Sequence, residues 1–378
     1  MADLGIKRME GIVFDVNNLL RSEGFYSEAF DFALVARSTT ALERANGERT
    51  EVYEAGGIRV IVTQPMRPRS RSGRYLKRHP DGISSLIFEV EDLEATAALL
   101  AERNATFVDA PRWVTGAGGG RYGYFDITTP FGEALFRFCQ RDGFEDPLPG
   151  VERLPTPSGG KNCMQFEAFD HVTSNFLTLE PMVLWCKTVL GFEQYWDIAF
   201  HTDDVAPSED HGSGLKSIVL WDPRSGAKFA NNEPMRPHFE DSQIYTFVMD
   251  NYGPGIQHVA FAVTDIISTV RELRERGVVF MPTPPSYYQM LPARLETLGV
   301  TLDEDIAELE SLEILVDGKP GGSYLLQIFL KEAAGLYEDE EAGPFFFEII
   351  QRKGDRGFGE GNFRALFESI EREQVKKR

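Results

Sequence analysis

FEVEDLEATAALLAERNATFVDAP (Phe88 to Pro111) and FAVTDIISTVRELRERGVVFMPTP (Phe261 to Pro284) align without a gap, at a constant offset of 173 residues. Phe88 matches Phe261, Val90 matches Val263, Asp92 matches Asp265 and Leu100 matches Leu273. Arg103, Phe107 and Pro111 match Arg276, Phe280 and Pro284. Each copy reads as a strand, an aspartate N-cap, an amphipathic helix and a second strand. Gly277 is placed to end the second helix. A period this long is too large for a solenoid and predicts two copies of one domain in tandem.

Outward from the repeat, the first half shows a strand over 11–16, a helix-like stretch over 27–36 and strands over 121–127 and 134–139. GAGGG (116–120) reads as a flexible turn; without a GxGxxG frame after a strand it does not predict phosphate binding. The Pro- and Gly-rich segment that follows lacks periodicity, so the expected division is a domain over 1–145, a linker over 146–162 and a second domain over 163–378. The second half is expected to carry a helix over 181–189 and a strand from GFEQYWDIAF. Thr301 and Glu304 have the spacing of a capping box before a short helix, and GSYLLQIFL (322–330) reads as a strand. FFFEII (345–350) reads as another, with Glu348 inside an apolar run. RKGDRGFGEGN then leads to NFRALFESIEREQ, where Phe363, Leu366, Phe367 and Ile370 mark one face of a closing helix.

The chain of 378 residues has 42% hydrophobic residues and a formal charge of −20, which excludes the basic face a nucleic-acid binder needs. RPRSRSGR (67–74) reads as a solvated loop. No run reaches the roughly 18–20 apolar residues of a membrane helix, and no export signal is visible at the N-terminus. Cys139, Cys163 and Cys186 cannot form a disulfide framework, so a cytoplasmic setting is expected.

Two histidines lie in strand-like apolar contexts, His171 in FDHVT and His258 in GIQHVAFAV. A strand histidine is usually structural, but the repeat supplies a control. Ser85 aligns with His258, and GIVFDVNN has no histidine where FDHVTSN has one. The imidazoles are thus confined to one copy, and Glu348 adds a carboxylate that is costly to bury without a partner. Two imidazoles and one carboxylate make the facial triad of non-haem Fe(II) sites.

FDHVTSN, GPGIQHVAF, SYLLQIF and FFFEIIQRKGDRGFGEGNFRALFESIE resemble the 4-hydroxyphenylpyruvate dioxygenase family of the vicinal-oxygen-chelate superfamily. The resemblance is strongest from Phe166 to Gln374. It implies an α+β fold of two tandem vicinal-oxygen-chelate domains, each of paired βαβββ modules in an open barrel-like sheet, with a C-terminal lid helix. It further implies Fe(II) on His171, His258 and Glu348, with 4-hydroxyphenylpyruvate, a 2-oxo acid, and dioxygen as substrates. The implied reaction is oxidative decarboxylation with ring hydroxylation to homogentisate, as in tyrosine catabolism. The implied pocket residues are Ser217, Asn232, Gln243, Gln257, Gln327, Phe329, Phe358, Gly359 and Phe363. Of these, Asn232, Gln243, Gln257 and Phe363 act closest to the chemistry. Ala230 stands where many members carry proline. The family's assembly implies a homodimer or homotetramer. The related 4-hydroxymandelate synthases use the same substrate and differ at a few pocket positions, among them the aromatic here retained as Phe363. Extradiol cleavage and non-catalytic aromatic binding are further functions of the same scaffold.

Overall fold

A computed structural model describes residues 3–201, 214–236, 238–359 and 361–362. Its strands form two sheets. The first contains β1 (Ile6–Asp15), β2 (Ala33–Ser38), β3 (Glu48–Ala55), β4 (Ile58–Pro65), β5 (Gly82–Val90), β6 (Arg112–Thr115), β7 (Arg121–Thr128), β8 (Leu135–Asp142) and β9 (Val151–Gly159). The second contains β10 (Phe166–Asn175), β11 (Glu193–His201), β12 (Gly214–Trp221), β13 (Lys228–Pro234), β14 (Gly255–Val263), β15 (Leu315–Gly318), β16 (Tyr324–Phe329) and β17 (Phe346–Lys353).

The sheet orders are β6-β7-β8-β5-β1-β4-β3-β2-β9 and β11-β12-β13-β10-β14-β17-β16-β15. Reversing one superimposes it on the other, leaving β9 as the single addition. The repeat thus extends from the quoted helix to the whole sheet, as two tandem domains of one fold require. In both copies the quoted helix is capped as its sequence predicts. Asp92 accepts from the Ala95 amide, and Asp265 from those of Ile267 and Ser268. The buried faces match residue for residue, Leu93, Thr96, Ala97 and Leu100 against Ile266, Thr269, Val270 and Leu273. Replacing Asp265 by alanine leaves two first-turn amides without that acceptor. It is expected to cost about 1 kcal/mol, measured as a fall in melting temperature with unchanged metal content.

Aromatic residues join the copies. Phe30 stacks on Phe166 at 5.6 Å between ring centres, and Phe136 on Phe229 at 5.6 Å. Phe88 meets Phe229 at 6.3 Å and Phe30 meets Phe347 at 5.8 Å, and residues of both sheets belong to one continuous core. Each buried phenylalanine contributes roughly 1.5–3 kcal/mol by leaving water, which ties the second sheet to the first.

Four local expectations are corrected. Residues 27–36 are not one helix: a π-helical turn over Gly24–Ala29 ends before β2, where Ala33, Leu34 and Ala36 pair with β3. The segment 146–162 is not featureless, because Val151–Gly159 pairs with β2 at the sheet edge. The short helix of the second half spans Ile306–Leu312 and is capped by Asp305, not by Thr301. The basic cluster contains a helical turn, Arg71–Tyr75, capped by Ser70.

Candidate metal centre

β10, β14 and β17 lie side by side in the second sheet and carry His171, His258 and Glu348. All three side chains are buried, and one donor atom from each lies within 4.8 Å of the others. Glu348 Oε2 is 3.2 Å from His171 Nε2 and 3.3 Å from His258 Nε2. Donors at right angles around an ion, each about 2.1 Å from it, stand about 3 Å apart, so this spacing suits one small divalent cation. Glu348 Oε1 is buried with no hydrogen-bond partner, as expected of a carboxylate oxygen reserved for an ion.

The distal ring nitrogens are held by Asp170, which the sequence reading passed over, and by Gln257, which the resemblance placed in the substrate pocket. His171 Nδ1 lies 2.8 Å from Asp170 Oδ1, and His258 Nδ1 lies 3.2 Å from Gln257 Oε1. An ionised carboxylate and an amide oxygen only accept, so each Nδ1 carries the proton and each Nε2 presents its lone pair. Both partners sit at bulges. The β10–β14 register slips between Phe169 and His171, leaving Asp170 extra, and slips on β14 between His258 and Ile256, leaving Gln257 extra. A bulge lets two successive side chains reach one site, which regular alternation forbids.

Arg352 holds Asp170 with two hydrogen bonds of 2.6 and 2.7 Å, and Lys228 lies 3.5 Å away. Burial alone would raise the Asp170 carboxyl; hydrogen bonds from Arg352 and His171, with the charges of Arg352 and Lys228, hold it well below the ordinary carboxylate range. Burial likewise opposes charge on Glu348, but the two histidines keep it low. His171 is raised against its own burial by Glu348 and Asp170, whereas burial prevails at His258 and lowers it.

The walls combine rings and amides. Phe358 meets the His171 ring edge-on at 4.9 Å, Phe346 stacks on His258 at 4.8 Å, and Phe329 approaches His258 at 5.8 Å. Ala230 packs with Val219 and Phe358. Ser217 and Asn232 are buried register partners on β12 and β13; Asn232 donates to Asn175 Oδ1 at 3.1 Å. The side-chain oxygens of Asn232 and Gln327 are buried without partners. Gln243 does not join them: it is exposed at the start of the helix Gln243–Asp250. Phe363, with the rest of the expected closing helix beyond Asn362, lies outside the described residues.

The segment before that helix covers the site. Arg352 donates to the carbonyls of Asp355 and Gly357 at 2.9 and 2.8 Å, and the Gly361 amide donates to Asp317 at 3.0 Å. Gly359 has φ +73°, and a Cβ there would stand 2.5 Å from the Gln327 amide group. A Gly359→Ala protein is therefore expected to lose about 1–2 kcal/mol from the left-handed backbone alone and to displace Gln327. The check is thermal unfolding with metal analysis: the melting temperature falls while metal uptake is unchanged.

Comparison with known proteins agrees with this geometry. The model of the Glyoxalase/Bleomycin resistance protein/Dioxygenase superfamily matches residues 9–135 and 168–290, one stretch in each copy. Fold and site together thus define a tandem member of that superfamily. A 4-hydroxyphenylpyruvate dioxygenase from Dictyostelium discoideum is 33% identical over 377 residues, covering 97% of this chain and 98% of its own. One from Caenorhabditis briggsae is 36% identical over 313 residues, covering 81% and 76%. Among solved structures, a mutant 4-hydroxymandelate synthase from Streptomyces coelicolor superimposes with a TM-score of 0.78 at 26% identity, covering 98% of this chain and 99% of that one. The chain belongs to the 4-hydroxyphenylpyruvate dioxygenase family and is an enzyme of the dioxygenase class.

Proposed function

We propose that this chain is an Fe(II)-dependent 4-hydroxyphenylpyruvate dioxygenase that converts 4-hydroxyphenylpyruvate to homogentisate in tyrosine catabolism. The observation carrying the reading is the buried convergence of His171, His258 and Glu348, with one carboxylate oxygen unpartnered. Those three residues would hold the ion. Bound there, ferrous iron supplies the redox chemistry that couples dioxygen reduction to decarboxylation of the 2-oxo acid and oxygenation of its ring.

The chain's own residues orient and enclose. Asp170 and Gln257 retain the Nδ1 protons, fixing both imidazoles as Nε2 donors. Ser217, Asn232 and Gln327 offer neutral hydrogen-bonding groups suited to a phenol, and the buried, unpartnered oxygens of Asn232 and Gln327 favour a ligand that supplies a donor. Phe329 and Phe358 give the ring apolar walls and exclude water. Phe363 is assigned a wall position, and Gln243 a polar contact reached only by movement of its helix start, on the family resemblance alone.

A second reading, 4-hydroxymandelate synthase, is favoured by the whole-chain likeness to that enzyme's fold. The deciding assay is anaerobic Fe(II) loading, then 4-hydroxyphenylpyruvate and air, with the product identified by mass and retention. Homogentisate with one carbon dioxide per turnover is expected; 4-hydroxymandelate would establish the second reading, and absence of oxygen uptake would reject both. We further propose a homodimer or homotetramer in the cytoplasm, a setting supported by the three free cysteines. No helix among the described residues is long and apolar enough to cross a membrane.

A further inference from the structure

The first copy contains a cavity of about 420 Å³ in the place where the second holds its two histidines and glutamate. The strand registers establish the correspondence. Gly11 pairs with Ile87 as His171 pairs with Ala260, so Gly11 takes the place of His171. Ser85 is the counterpart of His258. Ile87 pairs with Arg137 as Ala260 pairs with Glu348, which puts Arg137 where the second copy has its carboxylate. Thr50 and Thr63 are register partners as Ser217 and Asn232 are, and occupy their positions.

The bulges recur as well. Glu10 is the extra residue matching Asp170, and it accepts from Arg141 Nε at 2.7 Å as Asp170 accepts from Arg352. The first copy has therefore kept the frame around the site while exchanging the candidate metal donors for a glycine, a serine and a guanidinium.

Thr50, Thr63, Ser85 and Arg137 all line the first cavity. Arg137 is held by Asp126 through two hydrogen bonds of 2.7 and 2.8 Å. Arg71 lies on the wall, bound to the Ser84 carbonyl at 2.6 Å, and Arg112 stands over the Tyr124 ring at 4.5 Å. Burial alone would raise the Asp126 carboxyl, yet Arg137, then Arg71 and Arg112, hold it low, so all three guanidiniums act on one carboxylate. Five arginines line the cavity against the carboxylates of Glu48, Asp109 and Asp126. Glu48 is already engaged by the Ser72 amide and hydroxyl at 2.7 and 2.8 Å. Asp15, buried 3.7 Å from Arg71, offsets one more charge. A surplus of one positive charge remains inside a chain whose formal charge is −20. Val13, Ile61, Leu135 and Leu148 supply apolar wall between these groups.

We propose that the first copy's cavity is a second ligand site, one that binds a small organic carboxylate with an apolar body. The carboxylate meets the guanidinium groups of Arg71 and Arg112 near the mouth, where a fork-shaped donor matches its two oxygens. The body lies against the aliphatic wall, with Thr50 and Thr63, whose hydroxyls bond each other at 3.1 Å, beneath it. An inorganic anion would leave that apolar wall wet.

The test is a titration of the full chain with 4-fluorobenzoate, followed by fluorine NMR, with and without Fe(II). A bound resonance is expected in both states, retained in Glu348→Ala and weakened at least tenfold in Arg71→Gln/Arg112→Gln, each read below that protein's melting temperature. Arg112→Gln alone, at an exposed position, carries the same expectation of weakening should the double variant not fold. 4-Fluorobenzyl alcohol, uncharged, is expected not to bind. The proposal is overturned if no bound resonance appears, if it survives the arginine substitutions, or if it vanishes with Glu348→Ala. Binding of inorganic phosphate but not 4-fluorobenzoate would overturn the assigned ligand class.

Discussion

Glu348→Ala is expected to lose metal and turnover together. The carboxylate sits between two imidazole nitrogens at 3.2 and 3.3 Å, and it is the only anion among the three candidate donors. Its removal leaves a cation in a buried site with neutral partners. Breaking a buried charge pair of this kind costs roughly 3–5 kcal/mol, or about 10²–10⁴-fold in metal affinity. Anaerobic titration with Fe(II), alongside oxygen uptake, reads both effects. Glu348→Gln separates charge from shape, since the amide fills the same space without the negative charge, and it should behave nearly as the alanine variant does. Stoichiometric Fe(II) with normal oxygen uptake in either protein would remove Glu348 from the ligand set.

The second large effect is expected at Arg352, which touches no candidate metal donor. It grips Asp170 with two hydrogen bonds and, through Nη1, the carbonyls of Asp355 and Gly357. One guanidinium thus sets the carboxylate that holds His171 and also pins the segment covering the site. Arg352→Gln leaves Asp170 buried with Lys228 as its remaining cation. A destabilisation of roughly 3–5 kcal/mol is expected, with metal affinity falling about 10–100-fold through the loosened imidazole. Asp170→Asn/Arg352→Gln should recover part of the stability, because no unpaired charge is left, while metal affinity stays low. A purely structural ion pair would instead recover both. Thermal unfolding of the metal-free proteins and Fe(II) titration of each distinguish the two.

The parts of this molecule legible in its sequence are those that follow a period. The helices beginning at Leu93 and Ile266 announce themselves by an aspartate cap and by apolar residues three and four apart, and the gapless repeat between them carries the tandem architecture. His171, His258 and Glu348 stand out because polar donors are rare inside apolar strands. What broke the period stayed hidden. Asp170, not read at all, and Gln257, reached only through the family resemblance, flank the histidines on positions that alternation assigns to the opposite face, and two bulges bring them round. Arg352 reads as the start of a basic loop until the fold sets it against β10. The strand Val151–Gly159, rich in Pro, Ser and Thr, is extended because β2 offers an open edge, a tertiary cause with no local signal. Gln243 shows the converse: its place in a polar pocket came from resemblance, while the Ser242 cap starts a helix there and leaves the side chain in solvent.

Anomalous diffraction at the iron edge, from crystals grown anaerobically with Fe(II), tests the central claim most directly. A single peak about 2 Å from His171 Nε2, His258 Nε2 and a Glu348 oxygen is predicted. A peak elsewhere in the chain, or one that lacks any of those three contacts, would contradict it.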